Sequence, residues 1–370
     1  MGVNLLELLR RYDKTGIYNV YLRWHELLSD TYRVVRESFS VPREINVHGK
    51  VIRYGDINKV VICGMGGSGI VGDLVYDMYQ DVAEVPIVVI KDYHLPRFCD
   101  ERTLVIAISY SGNTEETISA FVEGIERGCQ VVSVSSGGVL EEFAKKLGTP
   151  HVAVPRGTQP RAALPCLVAA TLAILEKFNV IGDTGGDVKE CSAVLRDVIE
   201  ENRPEVGGRA LELANAIGDK VPFICGHTFY RGVAIRLKNE FNENSKVVAV
   251  ASTLPEFDHN DIVGWELKPS NVVPVFIRDR DEDEVTRARV TCTEDVLRSL
   301  GLRIEEIWAR GRSRLAKVLS LCLLGGLASV YLAVLRGLDP GEVVTISLLK
   351  RYMSEKLRVV ESLRKRLCIE

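Results

Sequence analysis

Lys59-Val-Val-Ile-Cys63 runs directly into Gly64-Met-Gly-Gly-Ser-Gly69, and the reading of this junction decides the fold. A short apolar run rich in β-branched residues and bounded by glycine reads as a buried strand. Residues 70–79 then read as a helix. Working outward, residues 86–90 give a second strand and 103–108 a third, which ends in Ser109-Tyr-Ser-Gly-Asn-Thr114. A helix over 115–127 and a strand over 130–134 follow. Strands alternating with helices predict a parallel, doubly wound sheet. A link over 155–185 contains a long apolar helix at 162–178. After a helix at 188–216 the pattern returns: strand 221–226, helix 230–242, strand 246–250, strand 271–277, helix 283–300, strand 303–309. Two halves with one order of elements predict a duplicated α/β domain. Residues 1–45 read as helical, and the chain closes with an apolar helix at 318–335 and a charged helix at 343–367. The predicted segments are therefore 1–45, 46–155, 156–190, 191–337 and 338–370.

The chain has 370 residues, which suits two such domains. Lys plus Arg number 47 and Asp plus Glu 50, so the net charge is −3. With 46% hydrophobic and 26% charged residues the composition is that of a soluble globular protein. Disorder is excluded by the apolar content, and the charge balance gives no case for nucleic acid. No two of the nine cysteines lie within four residues of each other, so zinc ribbons, CxxC motifs and iron–sulfur runs are absent. They read as small buried hydrophobes in a reducing cytosol. Met1-Gly-Val-Asn-Leu-Leu6 lacks the basic start of a signal peptide, and Leu6 stands where an acylation motif needs Ser or Thr. Residues 318–335 carry no charge, which reaches the lower length threshold for a membrane span. Ser320, Gly325, Gly326, Ser329 and Tyr331 favour a helix buried in a core or subunit interface instead. A chain of this size has trouble covering such a helix, so its apolar face is expected to serve a dimer contact.

Ligands of open parallel sheets bind at the carboxyl ends of the strands. The glycine loop 64–69 sits there, before a helix whose free N–H groups attract an anion. The loop 109–114 adds three hydroxyls at a neighbouring strand end. Hydroxyls and N–H groups without Lys or Arg suit a small phosphate monoester. Gly64, Gly66 and Gly69 also match GxGxxG, with Asp92 as a ribose partner, so a dinucleotide site competes. No GK[ST] follows the glycines, which excludes a Walker A loop.

Further motifs lie along the chain: Pro160-Arg-Ala-Ala-Leu-Pro165, Lys238-Asn-Glu-Phe-Asn-Glu-Asn244 and His259-Asn260. With the two loops, in this order, they resemble the bifunctional phosphoglucose/phosphomannose isomerases of the sugar isomerase (SIS) superfamily over nearly the whole chain. The resemblance implies two flavodoxin-like SIS domains of doubly wound parallel sheet with helical extensions at both ends. It implies a cytoplasmic enzyme that interconverts glucose 6-phosphate, and mannose 6-phosphate, with fructose 6-phosphate through ring opening and a cis-enediol, with no metal and no cofactor. Carried over by motif, Glu243 is the base, with Glu240 on the same helix as its rival. Arg161 steadies the enediolate, and His259 and Lys350 open the ring. Gly67, Ser68, Ser109, Ser111 and Thr114 hold the phosphate. The family also implies a homodimer in which His259 reaches the partner's site.

Read bare, these residues say less. Glu243 is a helix-end carboxylate, and Arg161 is a cation at a helix start, where the dipole disfavours it. His259 is a loop histidine with a proton affinity suited to transfer near neutrality. Lys350 is one of seven basic residues between 350 and 366. Where the family carries Asp-Pro-Thr-Pro this chain has Asp339-Pro-Gly-Glu342, which bears on the mannose epimer. A sugar-phosphate-binding regulator and a nucleotide-linked oxidoreductase are the competing readings.

Overall fold

The computed structural model describes residues 4–369. Residues 1–3, where the stretch read above for a leader or acyl site begins, lie outside the described residues. The chain divides into two compact units, Glu26–Gly185 with Val343–Glu370, and Met1–His25 with Gly186–Glu342. They are called the first and second unit below.

Helices α1 (Leu5–Tyr12), α2 (Ile17–Tyr21) and α3 (Trp24–Ser38) open the chain. The helical reading of residues 1–45 is thus interrupted at Leu22-Arg23, and the division between units falls just inside α3. Tyr21 and Trp24 flank the interruption and are both fully buried, with ring centroids 5.1 Å apart.

The first unit continues with a hairpin, β1 (Glu44–Val47) and β2 (Lys50–Arg53). Then come β3 (Lys59–Cys63), α4 (Gly66–Tyr79), β4 (Ile87–Ile90), β5 (Thr103–Ile108), α5 (Glu115–Arg127), β6 (Gln130–Ser135), α6 (Gly138–Leu147), β7 (His151–Ala153) and α7 (Leu164–Lys177). The five strands β3 to β7 form one parallel sheet in the order β4-β3-β5-β6-β7. This 2-1-3-4-5 arrangement is the flavodoxin-like one. Every residue of β5 and β6 is buried, which is why β5 reads as an apolar run after Thr103 and β6 keeps Val131, Val132 and Val134 among small or buried polar residues. On one face Val47 and Ile52 of the hairpin pack with Phe121 and Ile125 of α5 and Phe143 of α6.

The second unit holds α8 (Gly185–Glu201), α9 (Gly208–Ile217), β8 (Val221–His227), α10 (Arg231–Ser245), β9 (Val250–Leu254), β10 (Val272–Arg278), α11 (Glu284–Ser299), β11 (Glu305–Trp308) and α12 (Arg314–Leu335). Its parallel sheet runs β11-β10-β8-β9, the same 2-1-3-4 order without a fifth strand. The helix expected over 188–216 is two helices, separated by a stretch that holds Pro204 and Gly207, whose φ is positive. The strand expected at 246–250 lies four residues later. Helix α10 runs on to Ser245 and closes on a left-handed Lys246, which displaces it.

Helix α12 is the apolar segment, and 94% of its most hydrophobic window is buried. It packs against α9, α10, α1 and α2 of its own unit. The expectation that this helix lacks cover and serves a dimer contact is therefore corrected: the N-terminal helices supply the cover. The charged C-terminal helix is also two pieces, α13 (Val344–Lys356) and α14 (Val359–Arg366). Leu363 and Leu367 join the core of the first unit, and Arg364 pairs with Glu142 at 2.6 Å. By contrast α13 has no buried residue.

Candidate active site

In the first unit β3 is followed in sequence by β4 on one side of it in the sheet and by β5 on the other. The crevice at the ends of β3 and β5 is the topological switch point, where such sheets bind ligands. Both candidate loops lie there. Helix α4 begins at Gly66, four residues before the expected start, so the glycines form its first turn. Met65 gives no side-chain cap and the first turn has no acidic residue. Ser68 N and Gly69 N donate to the Met65 carbonyl at 3.0 Å, so the N–H groups of Gly66 and Gly67 are the ones ahead of any intrahelical acceptor, and no carboxylate competes for their positive end. An anion is the complementary ligand. The first turn of α5 carries Glu115 and Glu116, so that helix end is less suited, and its loop contributes hydroxyls instead.

Close packing ties the loops together. The backbone N–H of Tyr110 donates to Ser68 Oγ at 2.9 Å, which leaves the Ser68 hydroxyl hydrogen free for a further acceptor. Ser109 Oγ and Thr114 Oγ1 are 2.9 Å apart, with Ser109 buried and Thr114 half-buried. Ser111 is exposed. Gly67 is dictated by contact: a Cβ there would lie 2.8 Å from the Arg161 backbone nitrogen and 2.9 Å from the Pro160 carbonyl carbon. The Pro160-Arg161 segment is therefore seated on the glycine loop, and Arg161 itself is buried. How this segment, some ninety residues away, is held was not legible from local pattern. Tyr110 does part of it. Its Oη donates to Pro155 O at 3.0 Å and accepts from Thr158 N at 3.1 Å. Burial pushes its phenol up, so it stays a neutral donor. An aromatic ring between two serines of a strand-end loop was the available signal.

The two loops themselves carry no Lys or Arg, but one further cation lies beside them. Lys91, at the end of β4, passes over Gly69, with its Cε 3.5 Å from where a Cβ would stand. Its ammonium is paired with buried Asp73 of α4. Asp92, the ribose candidate of the dinucleotide reading, accepts from the backbone N–H of Tyr93 at 2.5 Å.

Lys350 is exposed on α13. Glu243 and His259 belong to the second unit. Glu243 is half-buried in the last turn of α10. His259 ends a 3-10 turn, Glu256–His259, and is exposed. Its neighbours anchor the turn: Phe257 is fully buried, and Asp258 accepts from Arg289 at 2.9 Å and Thr293 at 2.8 Å. The rival Glu240 is fully buried. Its Oε2 accepts from Tyr21 Oη at 2.5 Å and Asn244 Nδ2 at 2.6 Å, and its Oε1 pairs with Arg236. Gly341 faces Thr15, whose side chain fills the space that a side chain at 341 would enter.

The second unit's own switch point, between β8 and β10, is closed by its side chains. Asp279 accepts from Tyr230 Oη at 2.7 Å and pairs with Lys317 at 2.9 Å, while Lys317 also reaches Asp281 at 2.6 Å. Burial pushes Asp279 up, but Tyr230, the Asp281 backbone and Lys317 outweigh it and hold the carboxyl below its usual range. The N-terminus of α11 is capped by Asp283, which accepts from Val285 N and Thr286 N. Carboxylates of the chain stand where an anionic ligand would bind, so one phosphate site per chain is expected. Equilibrium titration with a sugar-phosphate inhibitor should give one site per chain.

Two further outcomes follow from the loop geometry. A hydrogen bond to a charged acceptor contributes roughly 1.5–3 kcal/mol. Ser109→Ala and Thr114→Ala should each raise KM by about tenfold to a hundredfold, with weaker inhibition by free phosphate; unchanged KM in both would remove this loop from the site. Gly67→Ala should be at least as harmful, because the new methyl meets backbone on Arg161. Its signature is a folded protein with lost activity, read by circular dichroism beside the assay.

The chain is similar to known proteins over most of its length. The family described as Bacterial phospho-glucose isomerase C-terminal SIS domain matches residues 207–353. A protein named bifunctional phosphoglucose/phosphomannose isomerase from Caldicellulosiruptor bescii is 36% identical, covering 87% of this chain and 96% of its own length. A Sulfolobus acidocaldarius protein named D-glucosamine-6-phosphate 4-epimerase is 30% identical, covering 85% and 90%. The crystal structure of a hypothetical protein from Thermus thermophilus superposes with a TM-score of 0.73 at 16% identity, covering 95% of this chain and 93% of that one, which speaks for the fold alone. With seven relatives of the same name at 32–37% identity, each covered over nine-tenths or more of its length, the chain belongs to the bifunctional phosphoglucose/phosphomannose isomerase family.

Proposed function

We propose that the chain interconverts glucose 6-phosphate, and mannose 6-phosphate, with fructose 6-phosphate by aldose–ketose isomerisation. The observation that carries this reading is the switch point of the first unit. There an uncapped, acid-free helix start, two cross-linked hydroxyl loops and the buried Arg161 segment converge. That arrangement suits a phosphate monoester beside a fixed cation.

Moving a hydrogen between C1 and C2 requires an open chain, a base and charge stabilisation on the enediolate oxygen. In this reading His259 and Lys350 open the ring. Glu243 takes the proton from C2 of the aldose, or from C1 of the ketose, and returns it to the neighbouring carbon. Arg161 balances the enediolate charge. Gly67, Ser68, Ser109, Ser111 and Thr114 hold the phosphate. The half-exposed position of Glu243 supports its role over Glu240, whose carboxylate is fully buried and bound by Tyr21, Asn244 and Arg236. The enzyme works as a cytoplasmic homodimer, with His259 contributed across the interface. The exposure of His259 on an anchored turn supports this part of the reading.

A coupled assay with fructose 6-phosphate, with and without EDTA and NAD, tests the proposal. Formation of glucose 6-phosphate and mannose 6-phosphate that is indifferent to both additions is the expected result. Binding without turnover would favour a regulator, and change only at C4 of an amino sugar would favour epimerisation.

A further inference from the structure

The loop after β5 turns tightly. Gly112 N donates to Ser109 O at 2.9 Å, and a Cβ on Gly112 would fall 1.7 Å from Gly137 O. Tyr110 sits in this turn and is 5% exposed. Its backbone belongs to the two candidate loops. The N–H donates to Ser68 Oγ, and the carbonyl accepts from Ser136 N at 2.8 Å and Ser136 Oγ at 2.7 Å. Its hydroxyl serves another segment, residues 154–161, which leaves the edge strand β7 and leads into α7. At the start of that segment Val154 N donates to Ser135 O at 3.0 Å, and at its end Ala162 N and Ala163 N donate to Gln159 O. Between these ends the Tyr110 hydroxyl holds both sides of a bend, donating to Pro155 O and accepting from Thr158 N. A neutral phenol can do both at once. Arg156 adds a pair with Glu141 of α6 at 3.1 Å, but its side chain is 74% exposed, and exposed pairs contribute little. Past the bend the backbone of Pro160 and Arg161 lies on Gly67, and Arg161 is 2% exposed. Pro155 is exposed and Thr158 half-buried. Removing the hydroxyl therefore lets the bend turn to water rather than unfolding the unit.

We propose that Tyr110 is a positioning residue for Arg161: its backbone is part of the loops read as the phosphate site and its hydroxyl holds the segment that bears Arg161, so one residue sets the spacing between phosphate and enediolate counter-charge. The proposal rests on the reading of Arg161 as the group that balances the enediolate. Within one substrate the phosphate and the C1–C2 pair are joined by a chain of limited reach. A cation shifted relative to the phosphate then stands away from a charge that develops only in the transition state. The ground-state complex, held by its phosphate, is indifferent to that shift. A misplacement of about 1 Å can cost roughly a hundredfold in rate. Gly67 still seats the Arg161 backbone when the hydroxyl is gone, so the expected loss is smaller, about tenfold.

The test is Tyr110→Phe, which keeps the ring and removes the hydroxyl. Three measurements are set beside wild type: kcat and KM for fructose 6-phosphate, the inhibition constant of inorganic phosphate, and that of arabinonate 5-phosphate, a sugar acid whose carboxylate stands in for the enediolate charge. In Tyr110→Phe, kcat should fall about tenfold with KM within about twofold, the pattern of an interaction made only in the transition state. Arabinonate 5-phosphate should bind about tenfold more weakly, while inorganic phosphate stays within about twofold. Ser109→Ala is the contrast and should weaken both inhibitors. A merely structural role would lower thermal stability and active fraction and leave both inhibition constants at their wild-type values. That result overturns the proposal. An equal loss for the two inhibitors overturns it as well, because Tyr110 would then serve the phosphate loops alone. If Tyr110→Phe does not fold, the hydroxyl fastens the unit as a whole, and the proposal fails with it. Arg161→Gln separates the two readings. If it keeps wild-type turnover and arabinonate 5-phosphate affinity, the assignment of Arg161 fails; if it loses both while Tyr110→Phe loses neither, only the positioning proposal fails.

Discussion

Glu243→Gln should remove nearly all turnover while leaving the binding of a phosphorylated sugar-acid inhibitor intact. The amide is close in shape to the carboxylate, but it cannot accept the proton from C1 or C2. General base catalysis contributes about 10²–10⁴-fold, and kcat should fall by that much. Inhibitor affinity should hold because the phosphate is expected on the first unit's loops, whose bonds run among Ser68, Ser109, Tyr110 and Thr114. Wild-type enzyme should exchange part of the substrate's C2 hydrogen with solvent, because a carboxylate that shuttles the proton releases some of it to water. Near-normal turnover in Glu243→Gln, beside an inactive Glu240→Gln, would move the role to Glu240. The structure weighs against that outcome, because both Glu240 oxygens are engaged and the residue has no exposed surface.

How much of this was legible in the sequence depended on whether the governing contacts were local. Strands β3 and β5 were readable because burial on both faces leaves a continuous apolar run after the first residue, and β6 because its β-branched valines recur between buried polar residues. The hairpin of β1 and β2 was missed. Each strand has four residues, and the connecting His48-Gly49, both with positive φ, lacks the Asn-Gly signature that marks such turns. The glycine loop was visible, but the reason for Gly67 was not, since it is the backbone of Arg161. Helix spacing could not show that Glu240 is enclosed. Part of its enclosure is Tyr21, 219 residues upstream, whose hydroxyl reaches it. The cover of α12 likewise comes from α1 and α2 at the other end of the chain. Composition could measure how apolar that helix is, but not which segment would lie over it.

With α12 covered within its own unit, the shared-site reading must stand on His259 and on the family, and a complementation experiment decides it. Glu243→Gln and His259→Ala should each be inactive as homodimers, since each lacks one required group in both sites. If His259 crosses to the partner, one site of a mixed dimer combines the Gln from one chain with the Ala from the other. The second site combines an intact Glu243 with an intact His259. Unfolding and refolding an equal mixture should yield about half heterodimers by random pairing, and hence about a quarter of all sites intact. Activity should rise from the background of either parent to about a quarter of the wild-type value, with unchanged KM, because each restored site is complete. The turn that carries His259 is suited to such a role. Phe257 and Asp258 fix its backbone against the second unit while the imidazole is left exposed. An ordered backbone beneath an exposed side chain limits the ordering cost of docking into another subunit. If heterodimers form, as native mass spectrometry can establish, and activity stays at background, each chain completes its own site. His259 would then act in the chain that carries it.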